Sequence, residues 1–155
     1  MARIHIFGAS GSGTTTLAKS LADELGWTHY DTDDYFWLQT DPPFQKLREA
    51  SERIDLLKPK LECNNWILSG SLCGWGDVFI SSFDLVIFLW IPLDIRLKRL
   101  RLRQEKQYGE LIKPGGSMKE SHDAFMKWAS EYDDGDIAMR SRIMHEEWIK
   151  TLPCK

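Results

Sequence analysis

A short apolar run leads directly into a glycine-rich octapeptide near the start of the chain. The run is Ile4-His5-Ile6-Phe7, and the octapeptide is Gly8-Ala9-Ser10-Gly11-Ser12-Gly13-Thr14-Thr15. Apolar residues at helical spacing follow the octapeptide, from Leu17 to Leu25. This order predicts a strand, a tight loop and a helix, an arrangement that can hold a phosphate at the N-terminus of the helix.

The octapeptide follows the pattern G-x-x-x-x-G-K-[ST], except that Thr14 stands in the lysine position. Gly8 and Gly13 are expected to allow turns that point successive N–H groups at an anion. The hydroxyl of Thr15 is placed to ligate Mg²⁺. Because the lysine charge is missing, two hypotheses stay open. Either the loop binds nucleotide and arginines elsewhere supply the charge, or the loop is a degenerate relic. We favour nucleotide binding, and the expected contacts are Gly8, Ser10, Gly11, Ser12, Gly13, Thr14, Thr15 and Thr16.

Length, charge and cysteine content limit the class of protein. A chain of 155 residues is expected to form one domain, residues 1–155. The net charge of −3 argues against a general nucleic-acid binder, and no apolar run is long enough to span a bilayer. The three cysteines are odd in number and lack metal-like spacing, which indicates reduced thiols and a cytoplasmic location. The sequence does not indicate an oligomeric state.

Strands and helices are predicted to alternate along the chain. The predicted strands are Arg3–Phe7, Trp27–Asp31, Trp66–Ser69 and the continuously apolar Leu85–Ile91, the last being typical of a strand covered on both faces. The predicted helices are Thr14–Leu25, Gln45 to about Glu62, Leu93–Tyr108, Ser121–Tyr132 and Ile137–Leu152. Alternation of this kind predicts an α/β fold with three layers, in which helices flank a small parallel sheet of four or five strands.

Polar residues are predicted to collect at the carboxyl ends of these strands, where α/β sheets bind ligands. The glycine-rich loop follows the first strand, Asp31 and Asp33 follow the second, and Ser69-Gly70-Ser71 follows the third. The three signals therefore predict a single crevice. A loop from Gly109 to Ser117 lies within a predicted helical lid, at about residues 104–122.

Both the loop and the order of elements resemble a known group of enzymes. Gly11-Ser12-Gly13-Thr14-Thr15-Thr16 is similar to the loop of archaeal-type cytidylate kinases, where threonine also replaces the lysine. Over nearly the whole chain, the element order resembles the adenylate kinase-like P-loop kinases, which include nucleoside monophosphate, shikimate and gluconate kinases. The resemblance implies a P-loop NTPase fold, ATP and Mg²⁺ as cofactors, and transfer of a phosphoryl group to a small acceptor. Neither a nucleic acid polymer nor a membrane is expected as a partner.

The resemblance also implies roles for the acidic residues after the second strand. Asp31-Thr32-Asp33 is similar to the D-x-D motif of shikimate and gluconate kinases. In that motif one carboxylate helps to hold magnesium and the other contacts the acceptor. We therefore expect Thr15 and Asp31 at the metal, and Asp33 at the acceptor hydroxyl, where it could take the proton. The alternative is that Asp33 or Asp34 only caps the next segment.

A basic helix is expected to supply positive charge. Arg96, Arg99 and Arg103 are three and four residues apart, so they are predicted to share one helical face. Arg99 and Arg103 lie nearest the predicted lid and are candidates to stabilise the transferred phosphoryl group and to compensate for the missing lysine. The alternative is a solvated basic face. The predicted catalytic residues are Thr14, Asp33, Arg99 and Arg103.

One departure from adenylate kinase concerns the acceptor. Adenylate kinase follows its third strand with Asp-Gly-Phe-Pro-Arg, whereas this chain has Ser69-Gly70-Ser71-Leu72-Cys73, which weighs against AMP. The predicted acceptor contacts are Asp31, Asp33, Arg48, Arg53, Gly70 and Ser71. A nucleoside monophosphate is the first expectation for the acceptor. The alternatives are a non-nucleotide hydroxyl metabolite, or a module that binds nucleotide without catalysis.

Overall fold

The first strand is formed by the apolar run that precedes the glycine-rich loop. In the computed structural model, which describes residues 2–154, β1 spans Arg3–Gly8, and its four central residues are buried. A strand whose successive side chains are all buried needs cover on both faces and hydrogen-bonding partners at both edges. β1 meets this requirement because it lies inside the sheet, between two other strands.

Four strands form one parallel sheet in the order β2-β3-β1-β4, as the α/β prediction required. The other strands are β2 at Thr28–Asp31, β3 at Trp66–Ser69 and β4 at Leu85–Leu89. β3 pairs in parallel with both β1 and β2, and its last residue, Ser69, lies opposite Ile6 on one side and Asp31 on the other. The carboxyl ends of these three strands therefore meet at one edge of the sheet.

The fourth strand differs from its prediction. β4 ends at Leu89, two residues before the predicted end at Ile91, and it lies at an edge of the sheet. Leu85 is 43% exposed, so the apolar run is not covered on both faces. Apolar composition alone could not distinguish an interior strand from this partly exposed edge strand.

Six α-helices and two short 3₁₀ helices occur among residues 2–154. The α-helices are α1 Thr14–Leu25, α2 Asp33–Phe36, α3 Ala50–Leu61, α4 Leu93–Tyr108, α5 Lys119–Ser130 and α6 Arg142–Lys150. The 3₁₀ helices span Asp77–Ser82 and Gly109–Ile112. The predicted bounds of α1 and α4 are confirmed to the residue. None of the helices in this range is both long and apolar enough to cross a membrane.

Two predicted helices were too long at their N-terminal ends. The segment before α3 forms a bridge instead, in which Trp37 pairs with Leu47 and the Leu38 N–H donates to the Lys46 carbonyl. The segment before α6 ends in a cap, because the Ser141 hydroxyl accepts from the Met144 N–H at 3.2 Å. Backbone pairing and capping of this kind override the local helical pattern.

The described residues fall into two compact units. The first comprises the chain up to Gly8, Thr14–Phe88 and the chain from Trp148 onward, and it contains most of the sheet. The second comprises Ala9–Gly13 and Leu89–Glu147, where α4, α5 and the second 3₁₀ helix pack together. The assignment of residues 1–155 to a single domain stays a prediction.

In the first unit, alternation along β1 sends side chains to two apolar clusters. Ile4 and Ile6 pack against α1 in the smaller cluster, which also contains Ala18, Ala22 and Ile67. Phe7 packs in the larger cluster, whose other members include Leu57, Trp66, Leu68, Trp75, Phe79, Phe83 and Trp148. The two clusters give β1 its buried environment.

His5 lies between Ile4 and Ile6 on the side of the larger cluster, and it is fully buried. Its Nδ1–H donates to the Leu68 carbonyl at 3.0 Å, because a carbonyl can only accept. Its ring stacks on Phe7 and Phe83, and Nε2 has no hydrogen-bond partner. Burial among these rings lowers the pKa of His5 from 6.5 to about 4.

We predict that His5 makes the protein less stable in acid. Between about pH 6.5 and pH 4 the unfolded chain binds a proton at His5 and the folded chain does not. The free energy of unfolding should therefore fall by about 3 kcal/mol as the pH is lowered through this window. Urea unfolding at pH 7 and pH 4.5 should show that His5→Phe removes most of this fall. His122→Gln should keep it, and an unchanged pH dependence in His5→Phe would contradict the prediction.

Candidate functional site

The carboxyl edge of the sheet brings together the two predicted magnesium ligands. The Thr15 Oγ1–H, at the start of α1, donates to Asp31 Oδ2 at 2.8 Å, and the second carboxylate oxygen accepts from the Asp33 N–H at 2.9 Å. Asp31 lies on β2, so a carboxylate from the strand beside β3 holds the threonine of the loop motif. Oxygen donors of this kind suit Mg²⁺.

These ligands alone are too few to enclose an ion. Among residues 2–154, no cluster of three or more histidine, cysteine or acidic side chains is arranged to hold a metal. Mg²⁺ usually keeps several waters and binds through one or two carboxylates together with substrate phosphates. The Thr15–Asp31 pair fits that mode, in which the nucleotide would supply the remaining oxygens.

The residues that follow Asp31 form the short helix α2. Its first turn is anchored at Thr32, whose carbonyl accepts from the N–H groups of Tyr35 and Phe36. Asp33 and Asp34 occupy that first turn and are exposed, and the side chain of the N-cap residue Thr32 makes no capping bond. Burial, followed by the charge of Asp31, raises the pKa of Asp34. The acceptor role of Asp33 and the capping alternative for Asp33 and Asp34 both stay predictions.

Gly70 lies against this turn and leaves no room for a side chain. Its φ is +100°, and a Cβ at this position would lie 1.9 Å from Thr32 Oγ1. The backbone is fixed on both sides, because the Gly70 N–H donates to the Ile6 carbonyl and the Thr32 N–H donates to the Ser69 carbonyl. Gly70 thereby allows Thr32 and the acidic segment to pack on the end of β3.

Ser71 and Arg48, both predicted to contact the acceptor, make local contacts. Ser71 is buried, and its carbonyl accepts from Trp75 Nε1 at 3.2 Å. Arg48 donates from Nε to the Tyr35 carbonyl at 3.0 Å and from Nη2 to the Trp37 carbonyl at 3.4 Å. Arg48 thus ties the backbone after α2 to the start of α3. Its role at the acceptor stays a prediction.

Arg53, on α3, is in an unusual environment for a charged group. Only 9% of its surface is exposed, and its guanidinium lies 4.0 Å from the ring centroid of Phe36 and 5.7 Å from that of Trp75. Nε donates to the Arg48 carbonyl at 2.6 Å, and no carboxylate among residues 2–154 forms an ion pair with Arg53. Burial lowers the pKa of Arg53. The charge of Glu49 opposes this lowering only in part, so an anionic ligand would further offset the cost of burying the cation.

In the second unit, residues 9–13 form the tip of the glycine-rich loop. The Ser12 N–H and hydroxyl both donate to the Ala9 carbonyl, at 3.1 and 2.6 Å. Positive φ occurs at Gly11 and Gly13, at +82° and +92°, whereas Gly8 is simply the last residue of β1. The unusual backbone conformation that was expected at Gly8 therefore occurs at Gly11. Ser10 is half-buried in this tip, and Thr14 and Thr16 begin α1.

Helix α4 backs the tip of the loop. A Cβ on Gly11 would lie 2.8 Å from the Arg96 carbonyl oxygen and 3.0 Å from Leu100 Cγ. Arg99 Nη1 donates to the Gly11 carbonyl at 3.3 Å. Arg103, one turn further along α4, is exposed. The two arginines of the catalytic prediction therefore lie on the helix that contacts the loop.

Arg96 is buried, whereas Arg99 and Arg103 on the same helix are exposed. Its side chain is 1% exposed, forms an ion pair with Asp133 and lies over the ring of Tyr132. Asp133 also accepts from Trp90 Nε1 at 3.0 Å. Sequence reasoning missed Asp133, because nothing in the local pattern distinguishes it from the acidic residues beside it.

The predicted lid carries lysines and no arginine. Residues 104–122 contain Lys106, Lys113 and Lys119, of which Lys113 pairs with Glu110 and Lys119 pairs with Asp123. His122 Nδ1 lies 3.0 Å from Gln104 Oε1, which links α5 to α4. This segment therefore offers no arginine for a bound phosphate.

A strand-end carboxylate bonded to the threonine after a glycine-rich loop, in a parallel α/β sheet, defines a P-loop nucleotide-binding protein. The AAA domain family AAA_18 matches residues 4–141. The chain belongs to this family of P-loop kinases, within the adenylate kinase-like group.

Proteins of similar sequence include kinases. The chain is 52% identical over 152 residues to the uncharacterized protein YqaC of Bacillus subtilis, covering 97% of this chain and 84% of YqaC. It is 34% identical over 119 residues to the cytidylate kinase of Haloarcula marismortui, covering 68% of this chain and 60% of that protein. The chain thus spans less than two thirds of the cytidylate kinase that it matches.

Solved structures show the same fold. The shikimate kinase of Bacteroides thetaiotaomicron is 25% identical, with a TM-score of 0.52 over 84% of this chain and 77% of that one. A shikimate kinase of Acinetobacter baumannii, 17% identical, has a TM-score of 0.52 over 97% and 92% of the two chains. The family, the cytidylate kinase relative and the shikimate kinase of Bacteroides thetaiotaomicron together identify an enzyme of the P-loop kinase class. The alternative of a module without catalysis is not supported.

We predict that the contact between Gly11 and α4 is essential for the loop. Gly11→Ala should lower the free energy of unfolding by at least 2 kcal/mol more than Gly115→Ala does. The two glycines have nearly the same φ, +82° and +84°, but a Cβ on Gly115 would meet nothing within 4 Å. Gly115→Ala therefore measures the backbone penalty alone, about 1 kcal/mol. Urea unfolding checks the difference, and equal losses would show that α4 gives way to the new methyl group.

Proposed function

We propose that the protein transfers the γ-phosphoryl group of Mg-ATP to a small anionic acceptor, a nucleoside monophosphate. The environment of Arg53 is the observation that supports an anionic acceptor. A guanidinium without a carboxylate partner suits a phosphate or carboxylate, which it can bind through parallel hydrogen bonds. Phe36 and Trp75 beside it provide apolar rings for a planar group. The cytidylate kinases among the relatives support a nucleotide acceptor.

The donor nucleotide is assigned to the loop from Gly8 to Thr16. Its backbone N–H groups and the N-terminus of α1 would hold the phosphates, while Thr15 and Asp31 would hold Mg²⁺. When bound, Mg²⁺ supplies charge neutralisation at the phosphate oxygens. The Thr15–Asp31 hydrogen bond supports this assignment, because it brings the hydroxyl and the carboxylate into one place before the nucleotide arrives.

The remaining predicted residues complete a mechanism. Asp33 would accept a hydrogen bond from the attacking acceptor oxygen and take a proton where the acceptor carries one. Arg99 and Arg103 would stabilise the charge that develops on the transferred phosphoryl oxygens. Thr14 would donate a hydrogen bond from the lysine position without charge. Gly70 and Ser71 would shape the acceptor side of the carboxyl edge.

A non-nucleotide hydroxyl metabolite is the second candidate acceptor. The likeness to a shikimate kinase structure and the Asp31-Thr32-Asp33 segment at the end of β2 favour it. Arg53 would then bind a carboxylate instead of a phosphate. The three cysteines are odd in number and lack metal-like spacing, and on this ground we propose the cytoplasm as the location of the enzyme.

The decisive experiment is phosphoryl transfer measured by chromatography of ATP, ADP and products. ATP and Mg²⁺ are incubated with each common ribonucleoside monophosphate, with shikimate and with gluconate. We expect a nucleoside diphosphate to form with at least one monophosphate, and Thr15→Ala to lower this rate more than tenfold through weaker Mg-nucleotide binding. Thr15→Ser, which keeps the hydroxyl, and Ser20→Ala, on the exposed side of α1, should retain activity. Transfer only to shikimate or gluconate would establish the second candidate, and no transfer to any acceptor would contradict the proposal.

We predict that Arg53 acts on the acceptor and not on ATP. Arg53→Gln should raise KM for the acceptor by about 10- to 100-fold, because a charged hydrogen-bonding partner is lost. KM for ATP should stay within about twofold of the wild-type value. Lys58→Gln, an exposed cation on the same helix, is the matched control and should change neither constant. Equal increases in both KM values would show that Arg53 supports the fold rather than the acceptor.

A further inference from the structure

The loop motif has lost its lysine, so a phosphate bound there needs another cation. Thr14 offers a hydroxyl but no charge. Lys19 lies one turn beyond Thr15 on α1 and is exposed. The basic residues of the predicted lid are lysines, and two of the three are paired with carboxylates.

Helix α4 is the element in contact with the tip of the loop. Residues 9–13 belong to the same compact unit as α4, although in sequence they connect β1 to α1. The lack of a side chain on Gly11 lets the backbone of α4 approach the loop, with the Arg96 carbonyl 2.8 Å from where a Cβ would be. A side chain that projects from this part of α4 toward the loop is therefore in contact with the backbone that is proposed to bind phosphate.

Arg99 is that side chain. Its Nη1 donates to the Gly11 carbonyl at 3.3 Å and lies 3.6 Å from where a Cβ on Gly13 would be. No carboxylate among residues 2–154 pairs with Arg99, in contrast to Arg96, which is buried against Asp133. One hydrogen bond to a neutral carbonyl uses only one of the five guanidinium donors. Arg99 is thus held at the loop with its charge uncompensated and most of its donors unused.

We propose that Arg99 is the resident phosphate-binding cation of this loop, in the place of the motif lysine. This role rests on the proposed nucleotide binding and is more specific than stabilising the transferred group. A guanidinium tied to the Gly11 carbonyl can direct its remaining N–H groups at the phosphate oxygens, as arginine commonly does. Because Arg99 contacts the loop before any closure, it acts on the bound ground state. Arg103, which has no such contact, keeps the transition-state role.

A double-mutant cycle between residues 14 and 99 tests the substitution of one cation for another. Binding of a non-hydrolysable ATP analogue in Mg²⁺ is measured by isothermal titration for the wild type, Arg99→Ala, Thr14→Lys and the double variant. Arg99→Ala should weaken binding by about 10- to 100-fold in the wild-type background. In the Thr14→Lys background, Arg99→Ala should weaken binding of the analogue by less than about threefold, because the lysine already supplies the charge. Equal factors in the two backgrounds would overturn the proposal.

Two further variants separate a charge effect from a general effect on α4. Arg101 lies two residues away, roughly on the opposite side of the helix, and is exposed, and no carboxylate among residues 2–154 forms an ion pair with it. Arg101→Ala therefore removes one charge without touching the loop. It should bind the analogue as the wild type does. Arg99→Lys, which keeps the charge, should lose less than Arg99→Ala. A loss in Arg101→Ala equal to that in Arg99→Ala would overturn the proposal, because the effect would then follow net charge alone.

Binding of the analogue to the wild type distinguishes an error in the role of Arg99 from an error in the proposed nucleotide binding. If the wild type binds the analogue and Arg99→Ala binds it equally well, the function stands and Arg99 is not the loop cation. If neither the wild type nor Thr14→Lys binds, the proposed nucleotide binding is wrong, and so is the role of Arg99. If only Thr14→Lys binds, Arg99 does not replace the lysine. Urea unfolding of each variant verifies that the binding losses occur in folded protein.

Discussion

The parallel pairing of β3 with both β1 and β2 is the constraint on which the candidate site depends. Ser69 lies opposite Asp31 in one register and opposite Ile6 in the other, so the three strands end together. A shift of one residue in either pairing would turn the side chains to the opposite face of the sheet. The hydrogen bond from Thr15 to Asp31 exists only because this register brings the end of β2 to the start of α1.

The arginines show how the protein distributes positive charge between structure and function. Arg96 is buried and has a carboxylate partner, which is the arrangement that a stable interior ion pair requires. Arg53 is also buried, although 9% exposed against 1% for Arg96, and it packs against rings and donates to a carbonyl. Arg99 is exposed and donates to the Gly11 carbonyl. Among these three arginines, the carboxylate partner therefore separates Arg96 from Arg53 and Arg99, a distinction that spacing in the sequence could not make.

Close packing at two glycines connects the backbone to the site. Gly70 allows Thr32 to lie on the end of β3, and Gly11 allows α4 to lie on the loop. In both places a methyl group would collide with atoms that position acidic or basic side chains. Gly70 and Gly11 are thus needed for what packs against them as well as for their positive φ, and the sequence motif predicted only turns.

The sequence by itself determined the fold class, the bounds of α1, α4 and β3, and the presence of a P-loop kinase motif, because these depend on local periodicity and on a short pattern. It also indicated Thr15 and Asp31, since the motif and the strand end fix their places. Only the tertiary structure decided which arginines are paired, why Gly11 cannot carry a side chain, and that β4 lies at an edge. These features depend on contacts between residues far apart in the chain, such as Arg96 with Asp133 and Gly11 with Arg99. Local patterns carry no information about such partners, so burial and pairing had to be read from the folded protein.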